Sequence, residues 1–130
     1  WRRELGKGAL VDKAVDIFEP RKYAGLVLAS LRNPGEADEI HRLGGKVVWV
    51  DADPNVRYKR ITKRRKGTED QVTFEEFLKE EQAQMNYYKG DPHTLNLAGV
   101  KQKADFLLEN NGSNIEKFKD QAEKALKHLL

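Results

Sequence analysis

Seven of the ten residues from Arg57 to Lys66 (RYKRITKRRK) are lysine or arginine. Cations this close repel one another, so an ordered domain that keeps them usually offers them an anion. Arginine forks pair bidentately with phosphate oxygens, and several converging on one point stabilise the charge of a transferring phosphoryl group. Arg57, Arg60, Arg64 and Arg65 therefore read together as a polyphosphate-binding set. The plainer alternative is a solvated helix face, with Arg57, Lys59, Arg60 and Lys63 balanced by Glu69, Asp70, Glu75 and Glu76.

Other groups are placed for chemistry by where they fall. Arg32, the pair Asp51 and Asp53, and the turn Asn110-Asn111-Gly112 each follow an apolar stretch that reads as a strand. In open α/β sheets, ligands sit beyond the carboxyl ends of the strands. Asp-x-Asp-Pro after a strand could bind magnesium, but it reads better as a turn and helix cap. His41, His93 and His128 are scattered, with no carboxylate or cysteine at ligand spacing, so no protein-ligated metal is expected. Ser30 lacks the context of a nucleophile elbow. Trp49 reads as core, and Tyr87-Tyr88 as the close of a helix.

The elements that must position these groups follow from periodicity. Leu10, Val11, Ala14, Val15 and Phe18 recur at helical spacing, which predicts a helix over 9 to 18 that stops before Pro20. Gly25 to Leu31 is a continuous apolar run and reads as a strand buried on both faces. Residues 36 to 43 read as a short helix with Pro34 near its first turn. Lys46 to Asp51 reads as a second strand, and Pro54 to Lys66 as the cationic helix, before a loop opening at Gly67-Thr68. Thr73 with Glu76 three residues on is a capping-box pattern that starts a helix reaching about Tyr88. After a turn at Gly90 to His93, residues 96 to 103 read as a weak helix or loop. Ala104 to Glu109 reads as a third strand. Asn114 or Ser113 caps a last helix from Ile115 to Leu130, with Ile115, Phe118, Ala122, Ala125, Leu126 and Leu129 facing inward. Strands alternating with helices imply a layered α/β domain with a parallel sheet.

Composition narrows the class. At 130 residues the chain has the length of a single domain. The 24 Lys plus Arg nearly balance 21 Asp plus Glu, leaving a formal net charge of +3, so partner inference rests on where the charges sit. Cysteine is absent, which removes disulfides and thiolate metal sites and fits a reducing, cytoplasmic setting. No apolar run approaches the roughly 20 residues needed to span a bilayer.

The post-strand residues also carry a resemblance. Leu28-Ala29-Ser30-Leu31-Arg32-Asn33-Pro34-Gly35-Glu36, then Val48-Trp49-Val50-Asp51-Ala52 with Arg57-Tyr58-Lys59-Arg60-Ile61 and Arg64, resemble successive segments of P-loop nucleotide kinases. So do Thr73-Phe74-Glu75-Glu76-Phe77, Asn96-Leu97 and the run Ala104 to Ser113. The order and spacing are most similar to the dephospho-coenzyme A kinase-like and adenylate kinase-like members, over nearly the whole chain. The resemblance implies a three-layer α/β/α parallel sheet and ATP-dependent phosphoryl transfer to a nucleotide or nucleotide-like acceptor. ATP would arrive with Mg2+ bound through its phosphates. Arg32 would contact the acceptor, and Arg3 would belong to its binding arm. Residues 57 to 65 would form a lid over the triphosphate, with Arg60 and Arg64 the catalytic contacts and Arg57 also on the nucleotide. Asn110, Asn111 and Gly112 would pack beside the adenine. Residues 71 to 96 would form an insert near the acceptor or the lid.

Two departures set limits. The glycine-rich phosphate loop ending in Lys and Ser or Thr is missing, Gly6-Lys7-Gly8 lacking both its spacing and a preceding strand, and without it the positioning that dominates phosphoryl transfer is missing too. Ala29 stands where the family carries an aspartate. The strand that feeds the loop would lie between the strands at 26 to 31 and 46 to 50, so the sheet is expected to be incomplete. Closure of the gap, another chain or an upstream segment would complete it, the last being the expectation. Three functions follow: a kinase domain, a non-catalytic nucleotide-binding or regulatory relic, and, last, a basic nucleic-acid-binding module, which lacks interleaved exposed aromatics.

Overall fold

The computed structural model describes Gly6 and residues 8 to 64, 72 to 86 and 95 to 129. Arg3, Arg65, Lys66, the loop opening at Gly67-Thr68, Tyr87-Tyr88 and the Gly90 to His93 turn lie outside the described residues. The elements in chain order are α1 (Ala9–Phe18), a 3-10 turn (Glu19–Arg21), α2 (Pro34–Arg42), β1 (Val48–Asp51), α3 (Pro54–Arg64), α4 (Phe74–Met85), α5 (Leu97–Gln102), β2 (Phe106–Glu109), α6 (Ile115–Leu126) and a 3-10 turn (Lys127–Leu129). The protein is thus mixed α/β. β1 and β2 pair in parallel, Val48 opposite Phe106 and Asp51 opposite Glu109. Among the described residues no helix is long and apolar enough to cross a membrane.

One predicted strand is absent. Residues 25 to 31 take no regular structure, and the sheet among the described residues has two strands where three were expected. An apolar run becomes a strand only when a neighbour takes its backbone groups and a second layer covers its side chains. Here Val27 is 91% exposed and Leu26 40%, so among the described residues no such layer covers them.

Contacts divide the chain into two compact units, one of residues 1 to 47 with 81 to 105, the other of 48 to 80 with 106 to 130. In the first, α1 and α2 approach closely. A Cβ at Gly8 would lie 2.9 Å from that of Glu39. Ala9, Val11 and Ala37 are buried. α2 ends in a Schellman motif, Gly45 N–H donating to Ile40 C=O at 2.9 Å and Gly44 N–H to His41 C=O at 3.0 Å. Gly44 sits at φ 79°, the left-handed position that closes such a motif.

The same unit carries a polar junction that spacing alone does not reveal. Asp105 Oδ2 accepts from Val47 N–H at 2.7 Å and lies 2.9 Å from His41 Nε2. Asp105 N–H returns a bond to Val47 C=O at 2.8 Å. The Val47 amide, followed by the His41 bond, holds the Asp105 carboxyl below its ordinary range. A carboxyl with a lowered folded-state pKa contributes stability above its unfolded value and loses it as pH falls through the folded value. Asp105→Ala should therefore destabilise by about 1–2 kcal/mol at pH 7, with the gap to wild type narrowing as pH falls below the ordinary carboxylate range. Urea denaturation at pH 7 and pH 2.5 reads this; a gap that does not change with pH would remove the carboxylate from the account.

In the second unit, α3, α4 and α6 accompany the sheet. Thr73 and Glu76 form the expected capping box at the start of α4, Thr73 N–H to Glu76 Oε2 at 2.8 Å and Glu76 N–H to Thr73 Oγ1 at 3.2 Å. Tyr58 of α3 packs against Phe74 and Phe77, ring centroids 5.3 and 5.6 Å away, and its hydroxyl donates to Val72 C=O at 2.8 Å. Asn114 Oδ1 caps α6, accepting from Glu116 and Lys117 N–H at 3.0 and 3.2 Å. Two expectations about burial need correction. Ile115 is 57% and Leu129 39% exposed, so the inward stripe of α6 is narrower than its period suggests. Trp49 is only half-buried, its indole N–H donating to Asp51 Oδ2 at 3.2 Å.

Candidate functional site

β1 and β2 end side by side at Asp51 and Glu109, and each runs into a short connection that leads to a helix. The two connections are stitched together by main-chain groups and short side chains. Asn110 N–H donates to Asp51 C=O at 2.7 Å, and Asp53 N–H donates to Asn111 Oδ1 at 2.6 Å. Asp53 Oδ1 accepts from Asn55 N–H at 2.8 Å, the cap role read from sequence. The third stitch comes from the cationic helix. Arg60 Nη2 donates to Gly112 C=O at 2.7 Å and lies 3.5 Å from Asn110 Oδ1. Parallel strands must end together for such bracing to form, and only a short polar turn presents this many backbone groups at once.

Beside this braced turn is a groove of about 470 Å³, lined by Glu109, residues 110 to 114, Lys117, Phe118 and Gln121. Its volume falls in the range of small-molecule sites. Three asparagines and a glutamine share this lining with one half-buried phenyl ring and the charged Glu109 and Lys117. Such a lining suits a flat heteroaromatic ligand, whose edge takes hydrogen bonds and whose face takes the ring. Lys117 and Gln121 were not singled out by sequence, and Phe118 was expected only as an inward-facing residue of the last helix. Their signal was legible, however, since they follow the Asn114 cap on the first two turns of a helix.

The arginines of α3 separate by role. Arg57 Nη1 bonds Asp51 Oδ1 at 2.9 Å and also the Ala52 carbonyl, so its fork is engaged at the end of β1. Arg60, one turn on, reaches the 110 to 112 turn. Arg64, another turn on, is exposed at the helix end. Positions 57, 60 and 64 share a helix face, but only the last two lie beyond the Asp51 pair. Asp51 also accepts from Ala52 N–H at 2.9 Å and from Trp49, so its oxygens serve the protein's own donors. Arg32 belongs to the first unit, with an exposed side chain at the start of α2. Arg3 lies outside the described residues.

An α/β protein with a braced polar groove at the carboxyl ends of parallel strands is the class these features define. The chain is similar to several UPF0200 proteins. It is 29% identical over 137 residues to one from Pyrococcus abyssi, covering 99% of this chain and 67% of that protein. Another from Sulfurisphaera tokodaii is 29% identical over 130 residues, covering 98% and 67%. One from Methanothermobacter thermautotrophicus is 25% identical over 130 residues, covering 98% and 63%. The chain thus spans about two thirds of the length of the relatives it matches. No protein-family model and no solved structure matches it.

Proposed function

We propose that the chain forms the lid, acceptor and base-binding part of a P-loop-type nucleotide kinase, binding ATP and serving phosphoryl transfer to a nucleotide-type acceptor. The observation that carries this reading is the Arg60 to Gly112 contact, which sets a guanidinium of the cationic helix against the turn that borders the polar groove. In this reading the adenine edge meets the amides of the groove and its face meets Phe118. Arg60 and Arg64 face the phosphates, where two guanidinium forks offset the charge that develops on transfer. Arg57 holds the end of β1 through Asp51. Arg32 takes the acceptor. Mg2+ fits only as an ion carried on the phosphates, because the Asp51 oxygens already accept from Arg57, Trp49 and Ala52. There it would screen phosphate charge.

Titration calorimetry with ATP and magnesium chloride tests the reading. Saturable binding with a Kd below about 1 mM, some 4 kcal/mol of affinity, is expected. No heat of binding at millimolar ATP would overturn it. Binding of an oligonucleotide that falls steeply with salt and is not competed by ATP would instead favour a nucleic-acid module.

A further inference from the structure

Arg32 is fixed by its main chain and left exposed at its side chain. Its N–H donates to Glu36 Oε2 at 2.8 Å, and its C=O accepts from Asn96 N–H at 2.9 Å. The groups that hold it are buried: Asn33 is 1% exposed, Glu36 2% and Asn96 9%. Asn33 and Asn96 are the caps of α2 and α5, their Oδ1 atoms accepting from Gly35 and Gly99 N–H, each at 2.9 Å. The two caps touch. A Cβ at Gly99 would lie 2.8 Å from Asn96 Nδ2 and 3.0 Å from Pro34 Cγ, so only glycine allows this approach without a shift.

Helix capping does not account for all of this. A capping box needs one bond from the Glu36 side chain to the N–H of the cap residue Asn33, and that bond is present at 3.3 Å. The shorter bond of the same oxygen goes one residue further upstream, to Arg32. A buried carboxylate is costly to desolvate and is placed where its hydrogen bonds offset that cost. Two residues before Arg32, Ser30 adopts φ 64°, a left-handed conformation that costs a non-glycine residue about 1 kcal/mol. The guanidinium itself has no ion-pair partner among the described residues. An exposed arginine on a rigid backbone loses less freedom when it grips a ligand, and its fork matches two oxygens of a phosphate monoester.

We propose that Glu36 is a positioning residue, which sets Arg32 to receive the phosphate monoester of the acceptor nucleotide. The identity of that ligand rests on the kinase reading above; the clamp on Arg32 does not. AMP serves as the probe, titrated by calorimetry against wild type, Arg32→Gln, Glu36→Ala, Glu36→Asp and the double variant Arg32→Gln/Glu36→Asp. The aspartate keeps a carboxylate in the first turn of α2 but is one methylene too short to reach both amides, so it serves if the alanine variant fails to fold. Arg32→Gln and Glu36→Asp should each weaken AMP by about tenfold, a change of about 1.4 kcal/mol. In the Arg32→Gln background, Glu36→Asp should change AMP affinity no further. A merely structural Glu36 would lower the melting temperature and leave AMP affinity alone, and that result overturns the proposal. So does a wild-type chain that does not bind AMP, or additive losses in the double variant. If ATP fails to bind while AMP still depends on Arg32 and Glu36, the kinase reading falls and the clamp stands.

Discussion

Replacing Arg60 with alanine is expected to weaken ATP binding by about thirtyfold, corresponding to about 2 kcal/mol, the order of a charged hydrogen-bond pair. Two effects add. The variant removes a guanidinium that faces the phosphates in the proposed complex, and it unties Gly112 C=O from α3, loosening the turn that borders the groove. Arg60→Lys separates them. An ammonium retains the charge but not the fork, so a loss of about threefold to tenfold is expected. Arg64→Ala should add to the loss in the double variant. Stability should change little, because the Gly112 bond is solvent-exposed and such pairs contribute at most about 1 kcal/mol. Calorimetric titration of ATP against each variant is the measurement. An affinity unchanged in Arg60→Ala/Arg64→Ala would return these arginines to a solvated helix face.

Phe77→Ala should produce the largest loss of stability, about 3–4 kcal/mol, and lower the melting temperature by on the order of 10 °C. Phe77 is 6% exposed and completes the aromatic group with Tyr58 and Phe74, its ring 5.6 Å from one and 6.3 Å from the other. Truncation leaves a ring-sized void that neither flanking ring can fill without leaving the other. Because Tyr58 lies on the helix that carries Arg60, the void also loosens the support of that arginine. Phe74→Ala should cost less, since Phe74 is only partly buried. Guanidinium denaturation compares the two. Equal losses would show that the group is not centred on Phe77.

Local signals in the sequence carried most of the helices. The period of 9 to 18 gave α1 its bounds, Thr73 and Glu76 gave α4 its start, and Asn114 gave α6 its cap, because each signal lies within four residues of what it specifies. The segment 25 to 31 misled for the opposite reason. Hydrophobicity reports that a run could be buried, whereas pairing and covering are supplied by distant residues that a local pattern does not contain. Asn33 was legible and passed over: Asn-Pro-Gly-Glu is a capping-box pattern with proline at the first helical position. The His41 and Asp105 contact was not legible, since the partners lie 64 residues apart. The candidate site was half legible. The turn at 110 to 112 came from the strand-end rule and Arg60 from the cationic run, but the pairing of Arg57 with Asp51 depends on how α3 leaves β1, which spacing leaves open.

The division of the chain at residues 47, 80 and 105 bears on how the protein comes off the ribosome. Each unit is assembled from two stretches that alternate along the chain, and β1 meets β2 only across the 57 residues that separate Val48 from Phe106 by numbering. Loop closure on that scale must precede the pairing that rewards it, which slows folding relative to a chain of local contacts. During synthesis β1 is complete long before its partner strand exists, and its Val50, still 54% exposed in the finished fold, has no cover from β2 in that interval. Pairing of β1 with β2 therefore has to wait until residues 106 to 109 have been made.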